Sequence, residues 1–277
     1  MVIFWAALAA ALLGPPQRIV STAPSITEML YALGLGDRVV AVTTYCRYPP
    51  EAARKPKIGD YLRPNLELIL AARPDLVILE RTGVRNSATL ASARLPVLEV
   101  DDGTLAGIYQ SIERIGAAAG VAGRAAALNA RLRAELDAVA RRTAGLPKRR
   151  TMFVLGRTPA RLEGIVVAGR GSYLDELIRL AGGRNIFGDT VSSYGKVPLE
   201  EILARDPEVI LDMGEMAEPE SLSQQRRRAV IALWRSQPSL SAVRLDRVYA
   251  VASGAFLVPG PRVAEAAREL AALIHSR

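Results

Sequence analysis

The clearest pattern of apolar and polar positions in this chain occurs twice. It runs through LELILAARPDLVIL at 66–79 and returns as LEEILARDPEVILD at 199–212, with matching residues 133 positions apart. In each copy, apolar residues recur at helical spacing until a proline stops them, and a short apolar run follows. That order predicts a helix, a tight turn and a buried parallel strand. A helix and strand repeated in this way indicate two similar α/β lobes.

A long helical pattern separates the two copies. Residues 121–143 carry one apolar stripe, and Gly145 and Pro147 follow its end. At 1.5 Å per residue, such a helix would span about 35 Å, roughly the length of a small lobe. We therefore predict three parts in the body of the chain: a first α/β lobe at 17–120, one stiff interlobe helix at 121–145, and a second α/β lobe at 146–277.

The first residues have a different pattern. Residues 2–13 are an unbroken apolar run that ends at Gly14, Pro15 and Pro16. The run is too short for a membrane span, which needs about 20 residues, but it matches the apolar core of a secretory signal peptide. No positive residue precedes it, which is atypical, and a buried first helix is the alternative. We expect residues 1–16 to be a signal peptide and the mature protein to be exported and soluble.

Composition and charge narrow the classes of function. The chain has 277 residues, which suits two lobes, and its formal net charge of +8 comes mostly from arginine. The basic clusters at 148–150 and 226–228 are short, and no aromatic residues alternate with them. Nucleic-acid binding is therefore disfavoured, since it depends on basic tracks with stacking side chains.

The chain has one cysteine, Cys46, and one histidine, His275, close to the C-terminus. A single cysteine excludes an intramolecular disulfide and a multi-cysteine metal site. A Ser-His-Asp relay or a histidine-rich zinc site would need His275 to fold back into a cleft. We expect no metal, no resident cofactor and no enzymatic activity. A dinucleotide-dependent enzyme is the alternative from another class, but Gly169 and Gly171 lack the third glycine, which Leu174 replaces.

Ligands of open parallel α/β sheets bind outside the carboxyl ends of the strands. The predicted strand ends and the loops at the same edge supply several aromatic and small residues and few charges. Such a lining suits a large, largely uncharged ligand held by stacking and shape. The candidates by this rule include 23–25, Thr44, Tyr45, Tyr61, 80–83, 156–159, Tyr194, 213–216 and 253–258.

Glu67 and Glu200 are a second set of candidate functional residues, because they occupy the same position in the two copies of the repeat. Each lies in the first turn of its predicted helix, where the helix dipole favours a carboxylate by about 0.3–1 kcal/mol. The dipole does not explain why the same residue recurs in both lobes. One exposed negative charge per lobe suits docking onto a partner with two positive patches.

Several blocks of the sequence together resemble one known family, the substrate-binding proteins of ABC importers for cobalamin, haem and iron-siderophores. The blocks are RIVSTAPSITEMLYALGLGDRVVAVTTYCRYPPEA at 18–52, RPDLVIL at 73–79, GRGSYLDELIRLAGGRNIF at 169–187 and PLEEILARDPEVIL at 198–211. The resemblance covers essentially residues 17–277 and is greatest to the vitamin B12-binding members. It implies two Rossmann-like lobes with central parallel sheets joined by one rigid helix, the class III type also called helical backbone metal receptors.

The same resemblance implies roles for particular residues. Tyr45 would lie against the corrinoid, and Tyr61 and Tyr194 would take aromatic positions of the cleft. Glu67 and Glu200 would meet arginines of the membrane permease. From this and the strand-end rule we predict the ligand-binding residues Ser25, Tyr45, Tyr61, Tyr194, Gly254, Ala255, Phe256, Leu257 and Val258.

The implied function is a monomeric periplasmic protein that captures cobalamin and delivers it to an ABC permease. Two residues depart from the family pattern: Glu80 stands where an aromatic residue can occur, and Gly254 where an acidic one can. Haem and ferric siderophores therefore remain alternative ligands. Haem would need a tyrosine as axial ligand, and an anionic siderophore would need cleft arginines, for which the candidates are Arg47, Arg63, Arg81 and Arg157.

Overall fold

The computed structural model describes residues 14–61, 63–81, 95–189, 193–214 and 223–276. The apolar run of the predicted signal peptide lies outside these residues, as do 82–83 and 215–216 among the candidate site residues. The chain divides into two compact units. The first comprises Met1–Asp102 with Ala106–Ala130, and the second Gly103–Leu105 with Arg131–Arg277.

The first unit is built around a four-stranded parallel sheet in the order β2-β1-β3-β4. Its strands are nearly continuous apolar runs, as expected when helices cover a parallel sheet. Val20, Ala41 and Val77 are completely buried in this core. In chain order the elements are β1 (Ile19–Ser21), α1 (Pro24–Ala32), β2 (Val39–Val42), α2 (Pro50–Ala53), α3 (Leu66–Ala71), β3 (Leu76–Glu80), β4 (Val97–Val100) and α4 (Leu105–Ala118).

One long helix, α5 (Ala122–Thr143), follows α4, as predicted. The stripe that the sequence predicted on this helix is buried along its whole length, since Ala125, Leu128, Leu132, Leu136 and Val139 are all at most 5% exposed. No helix among the described residues is long and apolar enough to cross a membrane.

The second unit has a larger sheet in the order β10-β9-β5-β6-β8, with β7 also paired to β5. Trp234, Phe187 and Met152 are completely buried in its core. In chain order the elements are β5 (Arg149–Gly156), β6 (Ile165–Ala168), α6 (Tyr173–Leu180), β7 (Gly183–Asn185), β8 (Tyr194–Val197), α7 (Leu199–Arg205), β9 (Val209–Asp212), α8 (Gln224–Arg235), α9 (Ser241–Arg244), β10 (Val248–Ala250), α10 (Gly254–Leu257) and α11 (Val263–Ile274).

The two-unit α/β fold is as predicted, but the expectation of wholly parallel sheets needs one correction. Strands β9, β10 and β7 join the second sheet in parallel, whereas β6 pairs antiparallel with both β5 and β8. The physical reason is the short link between β5 and β6. Residues 157–164 can close a hairpin, whereas a parallel crossover takes about a dozen residues or more.

The repeat is real in three dimensions, and its two strands lie in separate sheets. The helix before each strand ends near a non-glycine residue with positive φ, Arg73 at 46° and Asp206 at 44°. Arg18 and Arg150 donate through Nε to the carbonyls of Arg73 and Asp206, both at 2.8–2.9 Å. A further carboxylate, Asp75 or Glu208, accepts from the backbone N–H of the same arginine. The likeness of the two units thus extends beyond the residues that match in sequence.

Candidate functional site

In the first unit, the carboxyl ends of four parallel strands meet at one edge of the sheet. Ser25 follows β1, Tyr45 follows β2, Glu80 ends β3 and Asp102 follows β4. The register places Glu80 directly beside Val100 on β4. These side chains form the candidate site of this unit, as the strand-end rule predicted for the first three.

Ser25 lies inside α1 rather than at its N-cap. Ala23 occupies the N-cap in an extended conformation, and Pro24 stands in the first turn. Proline is favoured there because its φ is already helical and its missing N–H would have no partner. The helix therefore begins before Ser25, whose side chain is buried and interacts with Asp102.

Tyr45 and Tyr61 are on two loops that the backbone ties together. Both the N–H and the hydroxyl of Thr44 donate to the carbonyl of Gly59, at 2.9 and 3.0 Å. Behind Tyr45, the buried Cys46 thiol lies 3.1 Å from the hydroxyls of Thr27 and Thr43. Tyr45 and Tyr61 remain 52% and 45% exposed, so this edge presents two aromatic side chains on loops that are hydrogen-bonded to each other.

A buried carboxyl group lies next to this aromatic pair. Asp102 is 3% exposed, and its Oδ2 has no hydrogen-bond partner among the described residues. Burial, then the nearby Glu80 carboxylate, raises the pKa of Asp102 to about 7, against the lowering effect of the Ser25 hydroxyl. Burial and Glu80 also raise the pKa of the Tyr61 phenol. Glu80 therefore lies within electrostatic range of both Asp102 and the exposed tyrosine.

The corresponding edge of the second unit has a fully compensated carboxylate. Asp212, at the end of β9, is completely buried, and its Oδ2 accepts from Arg157 Nε at 2.9 Å and from Trp234 Nε1 at 2.6 Å. Its Oδ1 accepts from the backbone N–H of Gly214 at 2.5 Å. Arg157, a candidate cleft arginine, thus has its charge balanced by a buried partner, whereas the ion pair of Arg81 with Asp101 is exposed to solvent.

The loop predicted to contact ligand from the second unit folds into the short helix α10. The Ser253 hydroxyl caps it by accepting from Ala255 N–H at 3.3 Å. Ala255 and Phe256 are completely buried, and the Phe256 ring packs edge-on against Phe153 with centroids 5.4 Å apart. Gly254, Leu257 and Val258 are partly exposed. The ligand role of all five stays a prediction, and for Phe256 the structure shows a packing role.

The remaining predicted residues are on the surface. Tyr194, the first residue of β8, is 38% exposed. Glu67 and Glu200 are exposed in the first turns of α3 and α7, as predicted. The two helices differ in their caps, since Asn65 accepts from Leu68 N–H whereas Pro198 offers no side-chain acceptor.

Sequence reasoning missed Asp102 and the Asp212 network. Both could have been found with the strand-end rule, because Asp101 and Asp102 directly follow an apolar strand and Asp212 ends one. The burial of Asp102 and its missing partner could not be read from the sequence, because both depend on packing by several elements.

No group of histidine, cysteine and acidic residues in the described part of the chain could hold a metal ion. His275 makes a hydrogen bond within the second unit, since its Nε2 lies 2.9 Å from the carbonyl oxygen of Ala181. Burial lowers the pKa of His275, which favours the neutral ring.

Comparison with known proteins decides the family. Residues 19–253 match the model of the periplasmic binding protein family. This chain belongs to that family. The binding protein is 31% identical over 261 residues to the vitamin B12-binding protein of Vibrio cholerae, across 92% of this chain and 88% of the relative. It is 30% identical to an uncharacterized ABC transporter substrate-binding lipoprotein of Bacillus subtilis, across 94% of this chain and 80% of the relative.

Solved structures agree with the fold of the binding protein. A crystal structure of a periplasmic vitamin B12-binding protein of Vibrio cholerae superposes with a TM-score of 0.78 at 29% identity, covering 94% of this chain and 97% of the other. A periplasmic haem-binding protein from Roseiflexus sp. RS-1 superposes with a TM-score of 0.77 at 28% identity, covering 94% and 98%. The family and its two-domain α/β fold confirm the predicted resemblance.

Proposed function

We propose that this binding protein captures cobalamin in the periplasm and delivers it to the permease of an ABC importer, with no chemistry of its own. The observation that carries the proposal is the similarity to vitamin B12-binding proteins over nine-tenths of the chain. Residues 1–16 would direct export, and the protein would act as a monomer.

The first unit has side chains suited to this ligand. Tyr45 and Tyr61 offer two exposed rings to the flat faces and edges of a corrinoid. The buried ion pair of Arg157 with Asp212 removes one of the four arginines that an anionic siderophore would use. A large, uncharged ligand therefore suits this site better than an anionic one.

Haem is the second candidate, because a haem-binding protein is a structural relative. The axial ligand would have to be a tyrosine such as Tyr45, since the His275 ring already contacts the Ala181 carbonyl. A tyrosine bound to ferric haem would give its own visible absorption bands, so a spectrum recorded after mixing separates haem from cobalamin.

Isothermal titration of cyanocobalamin, haemin and a ferric siderophore into the mature protein tests the proposal. We expect saturable, micromolar or tighter binding of cyanocobalamin alone. Tyr45→Ala should weaken that binding about 5- to 30-fold, the range for loss of one stacked ring. Tyr48→Ala is the matched control, because Tyr48 is 48% exposed and has no assigned contact with the ligand. No heat with cyanocobalamin, or saturation by haemin instead, would remove the corrinoid.

The permease contact is assigned to Glu67 and Glu200. Both are exposed, and their two helices occur at equivalent steps of the two units. Paired carboxylates of this kind suit two positive patches on a membrane partner.

A further inference from the structure

The pair formed by Glu80 and Asp102 is not explained by packing alone. A buried acceptor without a hydrogen bond destabilises the folded protein, and structures seldom retain one without a reason. Asp102 Oδ2 is such an acceptor among the described residues, and Asp102 is only 3% exposed. Glu80 is less buried and ends the neighbouring strand opposite Val100, and its side chain interacts with Asp102.

Glu80 connects this buried group to the aromatic surface. Its charge acts on Asp102 on one side and on the Tyr61 phenol on the other. Tyr61 in turn lies near Tyr45, on loops held together through Thr44 and Gly59. A ligand lying on the two tyrosines would therefore have a carboxyl group within reach at its edge.

From this geometry we propose that Glu80 accepts a hydrogen bond from an amide-bearing ligand, and that Asp102 behind it holds a proton which ligand binding releases to solvent. The inference rests on the proposed function, and it names the chemistry that the first unit selects. A corrinoid carries neutral primary amides at its periphery and can donate N–H groups. The propionates of haem and the anionic groups of a siderophore would be repelled by the same carboxylates.

Among the described residues, the charged and titratable groups that act on the pair are consistent with one stored proton. Asp101, on the segment after β4, adds a further negative charge, which Arg81 offsets by an ion pair. From α1, Ser25 contributes only a hydroxyl. From the loops, Asp60 and the two tyrosines contribute no positive charge. Two carboxyl groups this close do not both ionise readily near neutral pH.

A ligand that donates to Glu80 stabilises the negative charge of the pair, so binding should favour loss of the proton. By linkage, affinity then rises with pH until the pair is fully ionised. We expect the dissociation constant of cyanocobalamin to fall about 3- to 8-fold between pH 6 and pH 7.5, and to change little above pH 8.5.

Calorimetry in two buffers of different ionisation enthalpy measures the proton directly. The wild-type protein should release roughly half to one proton per cyanocobalamin at pH 6.5 and close to none at pH 9. Asp102→Asn should reduce the release per bound ligand to near zero, and Glu80→Gln should weaken binding. Asp37→Asn, an exposed aspartate on the turn that precedes β2, is the matched control and should release the wild-type amount.

The outcomes are separable. Binding without proton release at pH 6.5, or release that survives Asp102→Asn, overturns the proposed role of Glu80 and Asp102. It leaves the proposal that the ligand is a corrinoid intact. Absence of cyanocobalamin binding at both pH values overturns the proposed function and the contact together. Carboxyl carbon NMR of the ligand-free protein gives an independent reading: an Asp102 resonance that titrates near pH 4 would rule out the stored proton even if Glu80→Gln failed to fold.

Discussion

Asp102 and Asp212 each lie at the carboxyl edge of a sheet, one in each unit, and both are buried. Asp212 accepts from Arg157, Trp234 and the Gly214 N–H, so its charge is balanced within the unit. Asp102 has an acidic neighbour instead of a basic one, and one of its oxygens has no partner among the described residues. Equivalent edges can thus hold a carboxylate that stabilises the fold and one that stores a proton.

Removal of the arginine that balances the buried Asp212 charge in the second unit should lower stability more than any other change considered. Arg157→Met would leave the Asp212 charge buried beside Trp234 with one hydrogen bond fewer. Breaking a buried ion pair in this way typically costs about 3–5 kcal/mol of unfolding free energy. Urea denaturation followed by Trp fluorescence measures the loss. The control is Arg161→Met, whose exposed ion pair with Glu163 should contribute less than about 1 kcal/mol. Equal losses in the two variants would contradict the comparison.

The reverse change is expected in the first unit, where Asp102→Asn should stabilise the protein at high pH. The pKa of Asp102 is raised to about 7 in the folded state. The folded protein therefore binds the proton more tightly than the unfolded chain between about pH 4 and pH 7. Over that window, this group makes stability fall as pH rises.

The gain from Asp102→Asn should consequently be roughly 2–4 kcal/mol at pH 8 and near zero at pH 4. Thermal unfolding at both pH values is the measurement. A gain that does not depend on pH would show that the carboxyl group is ionised normally in the folded protein.

Arg73 and Asp206, the two repeat residues with positive φ, should differ by a smaller amount in their effects on stability. Asp206 also accepts from the N–H and hydroxyl of Ser241, at 2.7 and 2.6 Å. Asp206→Gly would relieve the backbone but lose these bonds, for a net loss of about 1–2 kcal/mol. Arg73→Gly should be neutral or stabilise by up to about 1 kcal/mol, because glycine tolerates a positive φ. A larger loss for Arg73→Gly in urea denaturation would refute this contrast.

The smallest effects on stability are expected at the two exposed glutamates. Glu67→Ala and Glu200→Ala should each change the unfolding free energy by at most about 1 kcal/mol, through the helix dipole. The double variant should bind ligand within about twofold of the wild type but fail to associate with permease in detergent or nanodiscs. The surface control is the pair Arg131→Lys and Arg133→Lys. Both residues lie on α5, which is separate from the two helices that carry Glu67 and Glu200. A collapse of ligand affinity would place these glutamates in the ligand site.

The sequence predicted most of the fold because its repeat and its apolar stripe are local patterns. The helix at 121–143 and both copies of the repeat appear within one or two residues of their predicted bounds. The direction of β6 was missed, because it depends on a link too short for a crossover.

The candidate site was less predictable. Tyr45 and Tyr61 were predicted with the strand-end rule and are exposed at one edge, and their role in ligand binding stays a prediction. Phe256 has the same kind of side chain, but packing against Phe153 places its ring inside the core. Whether an aromatic ring is exposed or buried depends on contacts that residues far apart in the chain make, and no local pattern reports them.

The division of the chain between the units has a consequence for its synthesis. Gly103–Leu105 belong to the second unit although residues of the first unit flank them on both sides. The carbonyl of Gly103 accepts from Tyr173 N–H, and Leu105 N–H donates to Glu176, 71 positions later. The start of α6 is therefore completed by a tripeptide that leaves the ribosome long before α6 itself. A gene fragment that begins at Arg131 would encode a second unit with those backbone and carboxylate groups left open to water.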